Sequence, residues 1–251
     1  MLEAVTRTIL VSYAHPDDES FTIAGILRQY ADLGARVVLS SATRGEAGSN
    51  GDPPVCPREQ LGAVRERELR EAARILGIAE VHLLGYEDRQ LSSAPPEEMR
   101  RKLVGLLRRY RPQVAITFDP NGINSHPDHV AISRFTSDAI PAAADPRWHP
   151  ELGAPHTVGR LLWSPPVRVY NLGSMPDPGS QAGVDFLFDI RPWAASKAGA
   201  LRAHRTQHRS VNRHFFDCAD ADRRLSREAL RQAWGPPLAR RPEDDLFAGL
   251  E

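Results

Sequence analysis

The sequence predicts an α/β protein with an open, doubly wound, mostly parallel sheet covered by helices on both faces. Two observations carry this. Through the first 140 residues, apolar runs of strand length alternate with amphipathic stretches of helical period. Those apolar runs are also nearly continuous, as parallel strands buried on both faces require. A length of 251 residues suits one large domain, 1–251. Within it, 1–140 reads as the core and 141–251 as the substrate-pocket and C-terminal portion.

The elements follow in order. Thr8–Tyr13 is a first strand. Thr22–Leu33 has helical spacing, and Gly34 stands where a helix ends on a left-handed residue. Ala35–Thr43 is a second strand. Arg44–Pro57, rich in Gly, Pro and Asn, is a long loop, and such loops inside compact domains tend to be functional. Arg58–Leu76 is the clearest helix, with Leu61, Val64, Leu69, Ala72, Ala73 and Leu76 on its buried side. Glu80–Leu84, Pro96–Tyr110 and Gln113–Phe118 read as strand, helix and strand. Asp119–Ser125 reads as a polar loop and Pro127–Ile140 as a helix entered through proline.

Beyond Ile140 the pattern weakens. Pro141–Pro155 shows no periodicity. Arg160–Trp163 and Asp185–Ile190 read as strands, Trp193–His204 and Leu225–Trp234 as helices. The charged, proline-bearing tail Gly235–Glu251 reads as chain laid along the surface or mobile.

Composition narrows the function classes. Thirty-two basic residues balance 32 acidic ones, so no net field favours nucleic acid or anionic lipid. No stretch approaches the roughly 20 apolar residues of a membrane span. The N-terminus has neither the basic start nor the cleavage site of a signal peptide. Cys56 and Cys218 are too few for a disulfide framework or a cysteine-built zinc site. The expectation is a cytoplasmic enzyme.

Two motifs stand out. Ala14-His15-Pro16-Asp17-Asp18-Glu19 follows the first strand, and His126-Pro127-Asp128-His129 follows the fourth. In the strand order 3-2-1-4 those strands are neighbours, and their carboxyl ends form the switch point where open α/β sheets bind ligands. Imidazole and carboxylate suit Zn²⁺ or Fe²⁺, and a set of two His plus one carboxylate leaves positions open for water and substrate. A further carboxylate could take the water's proton, and a further His could protonate the leaving group or stabilise an oxyanion. His126 would precede a helix started by Pro127, and its three-residue spacing from His129 puts both on one face. Asp128 is placed to orient one of the histidines.

At these motifs the chain resembles the PIG-L/LmbE-like zinc N-deacetylases, well over residues 8–140. A weaker match follows at Lys197–Gln207, where His204-Arg205-Thr206-Gln207 is similar to the family's late His-x-Ser-Gln segment with Thr for Ser. The resemblance implies a Rossmann-like fold, with His15, Asp18 and His129 as metal ligands, Asp17 as general base, and His126, supported by Asp128, as acid or oxyanion partner. Zinc, with iron as the alternative, is the implied cofactor, and an N-acetylglucosamine conjugate the implied substrate. Arg44 and Glu46 fall where relatives place substrate-contacting groups, and His204 joins them as a pocket candidate. The loop Gly48–Pro54 looks most like the bacillithiol-type branch. Relatives often assemble, so a homo-oligomer is admitted.

Plainer readings stand beside these. Asp17, Asp18, Glu19 and Asp128 could be acids complementing a helix N-terminus. His126 could be a simple cap, His129 a core histidine, His204 an exposed helix residue, and Arg44 with Glu46 a solvated pair. His82, His149, His156, His208 and His214 carry no motif and read as structural. The arginine-rich runs Arg65–Arg74 and Arg100–Arg111 read as solvated helix faces. Competing functions are an amidase of a thiol-sugar conjugate, a nucleotide-binding module and a non-catalytic zinc protein. Three acids where a glycine-rich phosphate loop would sit oppose the nucleotide reading.

Overall fold

A computed structural model describes residues 7–164 and 183–250. Its strands are β1 Thr8–Tyr13, β2 Arg36–Thr43, β3 Glu80–Tyr86, β4 Val114–Phe118, β5 Arg160–Ser164, β6 Phe186–Asp189 and β7 Arg227–Trp234. The helices are α1 Asp18–Thr22, α2 Ala24–Asp32, α3 Leu61–Leu76, α4 Pro96–Tyr110, α5 Gly122–Ser125, α6 Pro127–Ala144, α7 Ala194–Ala203, α8 His208–Val211 and α9 Ala221–Ser226.

One seven-stranded sheet runs β3-β2-β1-β4-β5-β7-β6. The first five strands are parallel, and β7 pairs antiparallel with both β5 and β6. The expected order 3-2-1-4 is therefore present, with β1 and β4 in register from Ile9 against Val114. Every residue of β1 and β4 is buried. Helices α2, α3 and α7 pack as one group and α4 with α6 as another, so the central strands lose solvent on both faces.

Four expectations need correction. The helix read as Thr22–Leu33 is two: α1 begins at Asp18, and the chain breaks at Ile23 (φ −139°) before α2. The helix expected to stop at Ile140 continues to Ala144 through Pro141. Residues 225–234 read as a helix because Glu, Ala, Leu, Arg and Gln all favour one. The helix α9 instead ends at Ser226 and β7 follows. Sheet pairing overrides propensity here: Glu228 and Leu230 alternate inward, and Glu228 accepts Gly25 N–H (3.0 Å) and Ile26 N–H (2.9 Å) while pairing with buried Lys197 (2.9 Å). The tail, finally, is packed. Leu246 and Phe247 belong to the core, and Arg160, fully buried, donates to Leu246 O (2.6 Å) and Ala248 O (2.7 Å).

The arginine-rich helices are not wholly solvated faces either. Arg65 and Glu68 on α3 and Arg108 on α4 are buried. Arg108 donates to the carbonyls of Ala143, His149 and Trp148, which ties the chain after α6 to the sheet's helical cover. No helix among the described residues is long and apolar enough to cross a membrane.

Candidate metal centre and active site

The site lies past the carboxyl ends of β1 and β4. Beyond Tyr13 the chain turns sharply, and Asp17 carries φ 120°, a region non-glycine residues rarely occupy. The turn brings Asp18 back under its own strand. Its Oδ2 accepts Ala14 N–H (3.1 Å) and His15 N–H (2.8 Å), and its Oδ1 lies 3.3 Å from His129 Nε2. Burial opposes its ionisation, but His129 and His15 bring its pKa down to about 2. From the other strand, α5 and α6 present the histidines. Gly122 (φ 66°) accepts His129 Nδ1–H at 3.2 Å, and a Cβ there would meet His129 Cβ at 2.8 Å. His129 stacks on Phe118, ring centroids 4.1 Å apart.

The outer partners set the tautomers, and the tautomers define the site. His15 Nε2 faces two carboxylates, Asp88 at 3.1 Å and Asp128 at 3.2 Å, so it carries the proton. His129 Nδ1 donates to Gly122, so its Nε2 does not. The bare nitrogens, His15 Nδ1 and His129 Nε2, therefore face each other at 3.2 Å beside the Asp18 carboxylate. Three lone-pair donors converging in a buried place call for a cation. Zinc–nitrogen bonds of about 2.0–2.1 Å place two ligands of a tetrahedral ion about 3.3 Å apart, close to the spacing seen. The donor set thus fits a divalent metal. His126 offers a nitrogen within 4.8 Å of those of His15 and His129. Without a metal a proton takes that role: burial works against it, but Asp128, Asp88 and Asp18 push His15 up to about 10.

Asp17 is the first candidate for proton transfer. It occupies the N-cap of α1 but makes no side-chain cap; its carboxylate instead meets Arg65 (3.1 Å). Burial pushes its pKa up to about 6, with Arg65 pulling down and Asp18 pushing up. Arg65 also donates to Pro16 O and to Gly45 O (2.8 Å). A Cβ on Gly45 would fall 2.1 Å from its guanidinium. His126 caps α6 and accepts Asp128 N–H at its Nδ1 (3.2 Å), which leaves Nε2–H free. Burial and the neighbouring imidazoles push its pKa down.

The structure moves some expected residues and adds others. Asp128 holds His126 only through its backbone N–H, and its carboxylate turns to His15, Arg89 N–H (2.6 Å) and Leu91 N–H (3.1 Å). Glu19 stands in the first turn of α1 and accepts Asp17 N–H (3.2 Å), as a helix-start acid would, but it is also buried and pairs with His204 (2.9 Å). His204, wholly buried, is absent from the cavity wall, so a substrate contact for it is not what the fold provides. Arg44 turns outward to Glu66 (2.9 Å), and Glu46 accepts Asp88 N–H (2.8 Å); neither lines the cavity. The cavity, about 490 Å³, is walled by the three motif histidines with Asp17 and Asp18. Asp88, Arg89, Arg65, Gln207, Arg213 and His214 add charged and polar groups to the lining, beside Thr22, Asn124 and Ser210, and none was expected there. Only Gln207 had a sequence signal, as the last residue of the late motif; it holds Ser49 O at 2.8 Å.

Residues 10–140 match the family described as GlcNAc-PI de-N-acetylase, PIG-L. The chain belongs to the PIG-L family. A 1D-myo-inositol 2-acetamido-2-deoxy-alpha-D-glucopyranoside deacetylase of Geodermatophilus obscurus is 31% identical over 98% of this chain and 98% of its own. A probable N-acetyl-alpha-D-glucosaminyl L-malate deacetylase 2 of Bacillus anthracis is 37% identical over 53% of this chain and 59% of its own. Among solved structures, the N,N'-diacetylchitobiose deacetylase of Pyrococcus horikoshii superposes with TM-score 0.71 at 20% identity, covering 91% of this chain and 84% of that one. That last likeness speaks for the fold.

Proposed function

We propose that this PIG-L protein is a metal-dependent hydrolase that removes the N-acetyl group from an N-acetylglucosaminyl conjugate in the cytoplasm. The observation that carries the reading is the pair of facing ring nitrogens, His15 Nδ1 and His129 Nε2, 3.2 Å apart beside the Asp18 carboxylate. The family and the named activities of the relatives point the same way. The two cysteines, unpaired, fit a reducing compartment. Residues 1–140 carry the metal motifs, and the chain after 140 supplies the far wall of the same domain; its residues 165–182 lie outside the described part.

His15, Asp18 and His129 would hold zinc, which supplies Lewis acidity and acidifies water near neutral pH. Asp17, ionised and held by Arg65, takes the proton from the attacking water. His126 Nε2–H points its donor at the oxygen that gains charge in the tetrahedral state. The proton held by Asp17 then passes to the departing nitrogen, and amine and acetate leave. Asp128 and Asp88 keep His15 in the tautomer that exposes Nδ1.

The test compares zinc-loaded with chelator-stripped protein on N-acetylglucosaminides, following acetate and primary amine in equal amounts. Metal-dependent release of both is expected. No release from any member of an amide panel, in protein that binds zinc, would overturn the reading.

A further inference from the structure

Three hydrophobic side chains line the cavity, Phe21, Phe118 and Ile123. Phe21 belongs with the chain after α7, where its ring meets Phe215 at 5.1 Å and His214 at 6.4 Å between centroids. Phe118, the last residue of β4, is wholly buried and stacks one face on His129. Ile123 is half-buried, so beside the two histidines after β4 it supplies the apolar surface that a ligand can reach. Its place is fixed from both sides. Gly122, before it, takes His129 Nδ1–H on its carbonyl (3.2 Å). Asn124, after it, accepts His126 N–H on its side-chain oxygen (3.1 Å). Ile123 therefore stands between the anchor of a metal-facing histidine and that of the candidate oxyanion donor.

The backbone there has φ 63° and ψ −60°, where a branched Cβ is strained. Buried Asp119 enforces it. Its Oδ1 accepts Ile123 N–H (2.8 Å), its carbonyl accepts Gly122 N–H (2.8 Å), and its Oδ2 accepts Asn121 N–H (3.3 Å). Strain of this kind persists only where the surroundings over-determine it, and it gathers at active sites and ligand clamps. Glycine would adopt this φ without a steric cost. What isoleucine adds is a branched apolar side chain in the cavity wall.

An amide bound for hydrolysis directs its carbonyl oxygen at the metal position and His126. Its acyl chain starts one bond, about 1.5 Å, from the carbonyl carbon. The methyl of an acetamide thus lies against whatever apolar surface borders those two groups. We propose that Ile123 is the wall of the acyl pocket and restricts the reaction to short acyl groups, acetyl above propionyl and butyryl. The inference rests on the deacetylase reading above and deepens it, from the bond that is cleaved to the length of the acyl chain.

The experiment uses one glucosaminide carrying an N-acetyl, N-propionyl or N-butyryl group. The kcat/KM of each is measured for the zinc-loaded wild-type chain, Ile123→Val, Ile123→Ala and Ile123→Gly. The glycine variant guards against misfolding, because the dihedrals of the turn are open to it. Binding of the three amides is measured by calorimetry on zinc-loaded Asp17→Asn protein, with and without Ile123→Ala. One methylene in a hydrophobic pocket changes kcat/KM by about 10–200-fold, so the wild type should prefer acetyl over butyryl by at least about tenfold. That ratio should fall by about tenfold or more in Ile123→Ala and Ile123→Gly, and by less in Ile123→Val, which keeps the branch. A purely structural role would lower turnover of all three amides by one factor. An unchanged ratio in the variants, or a wild type that turns over all three alike, would overturn the wall and leave the deacetylase reading standing. Binding that weakens with chain length and loses that dependence in Ile123→Ala, without turnover of any amide by the wild type, would keep the wall and sink the deacetylase reading. With no turnover, binding that ignores chain length or no binding at all would sink both.

Discussion

Replacing Asp88 with Asn tests the outer support of the metal centre, because no rotamer of the amide can repeat what the carboxylate does. Asp88 Oδ1 accepts from His15 Nε2 at 3.1 Å, and its Oδ2 accepts from Ala47 N–H at 3.0 Å. Asparagine has one acceptor and one donor, so either His15 or Ala47 must face an N–H with its own N–H. A buried donor left without a partner costs about 1–3 kcal/mol. If Ala47 keeps the oxygen, His15 holds only Asp128, and its tautomer and basicity weaken. Loss of such an outer partner lowers metal affinity about 10–100-fold. Competition against a fluorescent zinc chelator should show that drop. Thermal unfolding of metal-free protein should show a fall of roughly 2–12 °C, at about 2–4 °C per kcal/mol for a chain of this size. Asp52→Asn, which breaks only an exposed pair with Arg209, should change neither. Unchanged zinc affinity together with an unchanged melting temperature in Asp88→Asn would refute the assignment of tautomers from which the metal site is derived.

Other perturbations address separate parts of the structure. Asp17→Asn should lower kcat by about 10²–10⁴ while metal content by mass spectrometry stays near wild type, since Asp17 transfers a proton and is not among the three ligands; equal kcat would remove it as the base. Phe247→Ala should destabilise by about 3–5 kcal/mol in denaturant titration, because Phe247 is buried against Tyr30 and belongs to the core; a loss under 1 kcal/mol would mean the tail is only laid on the surface. Glu19 raises the pKa of His204 against the opposing effect of burial, so the pair's stabilisation is full below the unfolded pKa of about 6.5 and is lost as pH rises through the higher folded value. The stability gap between wild type and His204→Gln should accordingly be larger at pH 6 than at pH 9, and a gap independent of pH would show that His204 is not charged in the folded chain.

Much of the first half could be read from sequence because local pattern and tertiary role agree there. Helix α4 has the bounds that its amphipathic period gives, Pro96–Tyr110, and β1 those of its apolar run. The motif residues His15, Asp17, Asp18, His126 and His129 were legible for a different reason: each lies in the segment that follows the carboxyl end of β1 or β4, and the strand order makes those two strands neighbours. What was missed has a long-range cause. Arg65 sits in a run of arginines and glutamates that looks solvated. It is buried because Pro16 and Gly45 turn carbonyls toward it from loops 49 and 20 residues away. Asp88 has no motif, and only the β3 turn, pinned through Arg89 and Leu91 to Asp128, brings it to His15. The segment 227–234 has helix-forming composition, and the vacancy between β5 and β6 makes it a strand.

The distribution of these residues along the chain separates chemistry from selectivity. The donors that converge on the metal position, the candidate base and their supports, Asp88 and Arg65, all fall within the family-matched stretch 10–140. Gln207, Ser210, Arg213 and His214, which extend the cavity away from the histidines, fall after it. The two halves are nevertheless joined by buried polar contacts: Glu19 beside Asp18 holds His204, and Glu68 on α3 accepts Thr206 N–H (2.9 Å) and its hydroxyl (2.6 Å). Those ties fix the start of the segment that carries Gln207 and Arg213 relative to Asp17 and Asp18. Threonine serves here as serine would, since the bond to Glu68 needs only the hydroxyl. The placement of that segment against the residues at the β1 end is therefore set by a buried anchor. Substitutions at 210–214 can then change which aglycone is accepted while the machinery at β1 and β4 stays in place.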